Sequence, residues 1–117
     1  MILAVLDDLM FTSKIRAAAS GVGATVSFAR SRDAALAAVR AQAPALVILD
    51  LDNPRTDPIG IISALKAEAE TRAVPTLAYV SHVHADLIDA ARAAGADEVM
   101  ARSAFTQRLP DLLSRGR

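Results

Sequence analysis

Apolar runs punctuated by short polar or glycine-containing stretches organise the chain. One of them, in A-L-V-I-L-D-L-D-N-P from Ala45 to Pro54, runs without polar interruption into Asp50. Such a run predicts a strand buried on both faces, as in the middle of a parallel sheet. The polar, proline-containing segment Asp52-Asn53-Pro54 follows at once. Asp50 is therefore expected at the carboxyl end of a central strand, where sites form in open α/β sheets.

The remaining pattern alternates strands with helices. Ile2 to Leu6 predicts a first buried strand ending in Asp7-Asp8. A helix is expected from about Leu9 to Ser20, with Ile15, Ala18 and Ala19 inward, stopped by Gly21 and Gly23. Ala24 to Ala29 alternates polar and apolar residues and suits a strand nearer an edge. Ser31 is a good N-cap for a second helix to about Ala41, with Ala35, Leu36 and Val39 inward. After the Asp50 strand and a loop from Leu51 to Pro58, a third helix is expected over Ile59 to Thr71, with Ile62, Leu65 and Ala69 inward. Val74 to Val80 predicts a fourth strand, Val83 to Ala94 a fourth helix closed by Gly95, and Glu98 to Ala101 a fifth strand. The last helix is expected over Phe105 to Arg115. Pro110 costs ~3 kcal/mol in a helix interior, so this helix should start late, bend, or both. Strand and helix alternating five times predict a doubly wound, five-stranded parallel sheet with helices on both faces.

Composition narrows the function classes. The 117 residues suit a single domain spanning 1–117, with no output domain expected. Net charge is +0 and aromatics are 3 %, which gives neither an electrostatic drive toward nucleic acid nor rings for base stacking. The absence of cysteine excludes disulfides and thiolate metal sites and fits a reducing compartment. Met1 to Leu6 is too short to span a membrane and lacks a signal peptide's basic flank. A cytoplasmic protein with no membrane or nucleic-acid partner is expected.

Candidate chemistry lies at the strand ends: Asp7-Asp8, Asp50, Val80-Ser81 and Arg102. Parallel strands bring these to one edge. At an effective dielectric of ~20 and a spacing of ~5 Å, each close carboxylate pair costs roughly 3 kcal/mol before screening. A hard divalent ion such as Mg²⁺ is one compensating cation, and the Arg102 guanidinium is the other.

Over essentially its whole length the sequence resembles the receiver domain of bacterial two-component response regulators, a flavodoxin-like fold. The matching residues are V-L-D-D at Val5 to Asp8, L-V-I-L-D-L-D-N-P at Leu46 to Pro54 with Asp57 seven residues past Asp50, and A-A-R-A-A-G-A-D at Ala90 to Asp97. The resemblance implies that Asp50 is the phosphoacceptor position, served by a histidine kinase. It also implies that Asp7, Asp8 and Asp50 hold Mg²⁺ with the backbone carbonyl of Asp52.

Departures from the family pattern matter as much. The phosphate-sensing Thr or Ser falls on Val80, the aromatic switch on Val99, the Lys on Arg102, the following Pro on Ser103, and the Gly after Asp57 on Pro58. A hydroxyl donating to a charged acceptor contributes about 1.5–3 kcal/mol, and valine has none. Both halves of the hydroxyl-to-ring relay are therefore missing. Ser81 replaces the hydroxyl only if the strand slips by one residue, which points its side chain to the other face. Arg102 keeps the charge as a planar fork suited to carboxylates. It is expected to pair with Asp50 or Asp8 at rest and to fill part of the phosphate site, weakening Mg²⁺ binding.

Simpler roles stand beside these. Asp50 could merely follow a strand as a turn residue, and Asp7-Asp8 could cap the first helix, where negative charge suits the dipole. Asp52 and Asp57 read as loop-forming residues. His82-x-His84 with Asp86 has metal-ligand spacing but reads as solvated surface. Gly21-Val22-Gly23 follows a helix and is a stop, not a dinucleotide loop. Met10 and Phe11 are either partner contacts or core. The reading favoured is a stand-alone, non-enzymatic pseudo-receiver in two-component signalling, binding a histidine kinase or other signalling protein. The resemblance adds a homodimer through the fourth helix, fifth strand and fifth helix. A fully phosphorylatable receiver in a phosphorelay is the alternative. A flavodoxin-like cofactor binder is the alternative of another class, but Asp7-Asp8-Leu9-Met10 would repel a cofactor phosphate. Paired-carboxylate hydrolysis ranks third, because no general acid or substrate cleft accompanies it.

Overall fold

Five apolar runs pair side by side in one all-parallel sheet, ordered β2-β1-β3-β4-β5. The strands are β1 (Ile2–Val5), β2 (Val26–Ala29), β3 (Leu46–Asp50), β4 (Thr76–Val80) and β5 (Glu98–Ala101). The helices are α1 (Leu9–Gly21), α2 (Arg32–Gln42), α3 (Pro58–Ala67), α4 (Ala85–Ala94), α5 (Arg102–Gln107) and α6 (Leu109–Leu113). This computed structural model describes residues 1–81 and 84–117. His82 and Val83, singled out for metal spacing and for the fourth helix start, lie outside the described residues.

Alternation along the strands divides the core between two faces. Leu3, Val5, Val47, Leu49, Ala78 and Val80 pack with residues of α2, α3 and α4. Ile2, Ala4, Leu46, Ile48, Leu77 and Tyr79 pack with residues of α1, α5 and α6. Burial on both faces explains why β1, β3 and β4 read as continuous apolar runs. The half-buried β2 is an edge strand, as its alternation predicts.

Short-range chemistry sets the helix starts. Asp8 accepts from the Phe11 N–H at 3.1 Å and caps α1, and Ser31 accepts from Ala34 at 3.2 Å and caps α2. Asp57, at φ 52°, accepts from Gly60 at 3.2 Å and caps α3, which Pro58 opens.

Two helices differ from expectation. The third stops at Ala67, leaving Ala69 exposed, and Ile61 takes an inward place instead. There Glu68 is held by Arg40 at 2.6 Å and the Thr71 hydroxyl donates to the Leu65 carbonyl at 2.7 Å. The last helix starts early, at Arg102, and breaks at Arg108. The break places Pro110 in the first turn of α6, where its missing N–H removes no helical bond. No helix among the described residues is long and apolar enough to cross a membrane.

Candidate functional site

β1 and β3 are neighbours although β2 separates them in sequence, so the strand order reverses between them. In open parallel sheets a crevice forms at the carboxyl ends beside such a reversal. Here it is an open cleft of about 350 Å³ lined by Asp7 and Asp8 after β1, Asp50 at the end of β3, Asp52, Asn53 and Arg55 beyond it, and Arg102 after β5.

Each carboxylate already has partners. Asp50, 5 % exposed, accepts from the Asp52 N–H at 2.9 Å. Burial pushes the Asp50 carboxyl above the ordinary aspartate range, the Asp52 N–H opposes the shift, and the charge of Asp52 adds to it. Asp52 in turn accepts from the Ser81 N–H at 2.6 Å, which ties the loop to the end of β4. Asp8 uses both oxygens, Oδ1 for the Phe11 N–H at 3.1 Å and Oδ2 for Arg102 Nη2 at 3.4 Å. The cap bond, together with Arg102, holds its carboxyl below the usual range against partial burial. Asp7 pairs with Arg55 at 3.3 Å and Arg30 at 3.8 Å.

Four aspartates offer the oxygen donors that Mg²⁺ prefers. As they stand, however, two of the four are engaged by arginines, Asp7 by Arg55 and Asp8 by Arg102. Among the described residues no three carboxylate or imidazole groups converge closely enough to hold a metal. The guanidinium groups of Arg30, Arg55 and Arg102 supply the compensating charge instead.

Arg102 has a second contact. Its guanidinium carbon sits 4.1 Å from the centroid of the Phe11 ring. A cation in that position gains about 0.5–1 kcal/mol when exposed and ~2 when desolvated. Behind Phe11, Tyr79 lies with its centroid at 5.4 Å and stacks on Phe105 at 4.5 Å. Tyr79 is the β4 partner of Asp50. Its hydroxyl is the one buried side-chain polar atom among the described residues without a hydrogen-bond partner, a cost of about 1–3 kcal/mol. Burial, reinforced by the Asp50 charge, pushes the phenol far above its ordinary pKa.

Of the residues singled out in the sequence, Asp7, Asp8, Asp50, Asp52 and Arg102 share the cleft, and Arg102 takes Asp8 as its hydrogen-bonded partner. Val80 is buried against the α2–α4 face, and Val99, the β5 partner of Ala78, is half-buried against the same cluster. The Ser81 residue is exposed, and its backbone is the group engaged. Met10 is 86 % exposed, whereas Phe11 is core. Sequence reasoning missed Arg30, Arg55 and the Phe11 seat. Arg30 follows β2 directly, so the parallel sheet itself places it at the same edge. Arg55 sits on a one-turn helix, Pro54–Thr56, that no periodicity announces.

No family model matches the sequence, and no curated protein matches it. Solved structures do. A response regulator from Hahella chejuensis superposes with a TM-score of 0.86 at 23 % identity, over 97 % of this chain and 91 % of that one. Chemotaxis response regulator CheY4 of Vibrio cholerae gives 0.82 at 19 % identity, over 99 % and 97 %. The receiver domain of sensor histidine kinase PA1611 from Pseudomonas aeruginosa, with magnesium coordinated in its active-site cleft, gives 0.83 at 21 % identity, over 98 % and 94 %. This chain has the flavodoxin-like fold of response-regulator receiver domains.

Proposed function

We propose that the protein is a receiver-like signalling module of the pseudo-receiver kind, acting by protein–protein interaction, with Asp50 as the site of any phosphorylation. The observation that carries this reading is the state of the cleft. Asp50 occupies the expected strand end, but Arg102 is already engaged on Asp8, and the positions for the hydroxyl and ring relay are Val80 and Val99. A phosphoryl group on Asp50 would find no side-chain hydroxyl at Val80 to pull inward and no ring at Val99 to follow it. The partner is a histidine kinase or another signalling protein, and the surface assigned to it, or to a second copy, comprises α4, β5, α5 and α6. That surface is carried over from the resemblance. A flavin-type cofactor is disfavoured, because four carboxylates face the cleft where its phosphate would bind.

The test is incubation with Mg²⁺ and acetyl phosphate or beryllium fluoride, read by intact mass and amide NMR. The pseudo-receiver reading expects no phosphoryl adduct and no shift perturbation centred on Asp50. An adduct present in the wild type and absent in Asp50→Asn would replace it with the phosphorylatable alternative.

A further inference from the structure

Every carboxylate in the cleft is satisfied by groups of the chain itself. One of those groups, the Arg102 guanidinium, is held from two sides, by Asp8 and by the Phe11 ring. Asp8 and Phe11 belong to the same turn at the start of α1, and the bond from the Phe11 N–H to Asp8 Oδ1 fixes the spacing between carboxylate and ring. Arg102 enters that gap, with Nη2 3.4 Å from Asp8 Oδ2 and its guanidinium carbon 4.1 Å from the ring centroid. The ring cannot follow a departing guanidinium, because Phe11 is buried and packed against Tyr79 and Phe105. Nor can the backbone of Arg102 drift far, being pinned between β5 and the first turn of α5.

We propose that Arg102 is the resident cation of this cleft and that Phe11 positions it, so that divalent-cation binding is suppressed while Arg102 keeps its seat. The inference rests on reading the cleft as a receiver site whose metal role has passed to an arginine. Asp8–Arg102 alone is a partly exposed pair of the kind that holds weakly. The aromatic face supplies the second attachment, one that salt screens less than an exposed ion pair. Phe11 is a positioning residue: it touches Arg102 and acts through it.

The experiment follows free Mn²⁺ by electron paramagnetic resonance in the full chain and in R102Q, F11L and F11Y. Emission of Tyr79, the only tyrosine in a chain without tryptophan, verifies that the aromatic cluster remains folded in the wild type, R102Q and F11L. R102Q is expected to bind Mn²⁺ roughly tenfold more tightly than the wild type. F11L should move the same way by a smaller factor although Asp8 and Arg102 are both present, and F11Y, which keeps a ring face, should return toward the wild type. Wild type binding as tightly as R102Q, or R102Q without measurable binding, overturns the resident-cation role. F11L indistinguishable from the wild type while R102Q gains affinity removes Phe11 from it. An Asp50 phosphoryl adduct in a wild type that still binds Mn²⁺ more weakly than R102Q would overturn the pseudo-receiver reading and support this one.

Discussion

The guanidinium of Arg102 donates to Asp8 at 3.4 Å, joining the first residue of α5 to the residue that caps α1. The two are 94 positions apart, so the contact fastens opposite ends of the chain at the rim of the cleft. It also leaves neither Asp8 oxygen free.

Replacing Arg102 should loosen that fastening. Arg102→Met keeps the aliphatic bulk and is expected to cost about 1 kcal/mol, the scale of an exposed pair plus a cation–π contact. In a domain of this size that is a fall of roughly 4 °C in Tm. The ion-pair share is screened by salt, so the difference from the wild type should shrink when thermal melts are repeated in concentrated NaCl. A difference independent of salt would mean that the Phe11 ring face and packing, not the ion pair with Asp8, hold the contact.

Asp50→Asn should stabilise the protein at neutral pH. Burial raises the folded-state pKa of Asp50 above its ordinary value of 3.8, so its ionisation opposes folding. The stabilising share of its protonated form is complete below 3.8 and is lost as pH rises through the raised folded value. Asparagine keeps an oxygen for the Asp52 N–H and sheds the charge. The Tm gap between variant and wild type should therefore be widest at neutral pH and close as pH falls through the raised value. Thermal melts across that range check the sign.

Tyr79→Phe removes a buried hydroxyl without a partner and leaves the stacking surface on Phe105 in place. A gain of about 1–3 kcal/mol is expected from the desolvation cost recovered. Chemical denaturation with an unchanged m-value would locate the gain in the folded state. A loss of stability would show that the hydroxyl has an acceptor, such as a buried water.

Asp97 closes the base of β4 and β5. It accepts from the Thr76 N–H at 2.7 Å and from Lys66 at 2.9 Å, while its own N–H donates to the Thr76 hydroxyl at 3.1 Å. Burial pushes its pKa up, but Lys66 and Thr76 overcome this and leave it lowered. Its contribution is thus present above 3.8 and lost as pH falls through the lowered folded value. Asp97→Ala strands the buried Thr76 N–H and should cost about 1–3 kcal/mol at neutral pH. Part of the acid-side decline in wild-type stability should be missing from the variant, which acid titration of the melts can measure.

Sequence alone determined the layered plan, since that plan depends on local signals. Unbroken apolar runs need cover on both faces, Ser31 and Asp8 supply caps, and an aspartate closing a buried strand must emerge at the sheet's carboxyl edge. What the pattern misjudged was equally local in origin but tertiary in cause. Helix periodicity ran on past Ala67, where the chain turns away with Glu68 on Arg40, and the last helix begins at Arg102 rather than late, although the bend expected from Pro110 is there as a break at Arg108. The cleft's electrostatics were legible only in outline. Three like charges demand a cation, and Arg102 was a visible candidate, but which carboxylate it takes depends on where α1 and α5 meet. Tertiary packing alone decided that Phe11 backs the guanidinium, that Arg30 and Arg55 serve Asp7, and that the Tyr79 hydroxyl is left without a partner. The physical reason is distance along the chain: burial patterns and caps are set within a few residues, whereas charge pairing and ring stacking depend on groups that only folding brings within a few ångströms.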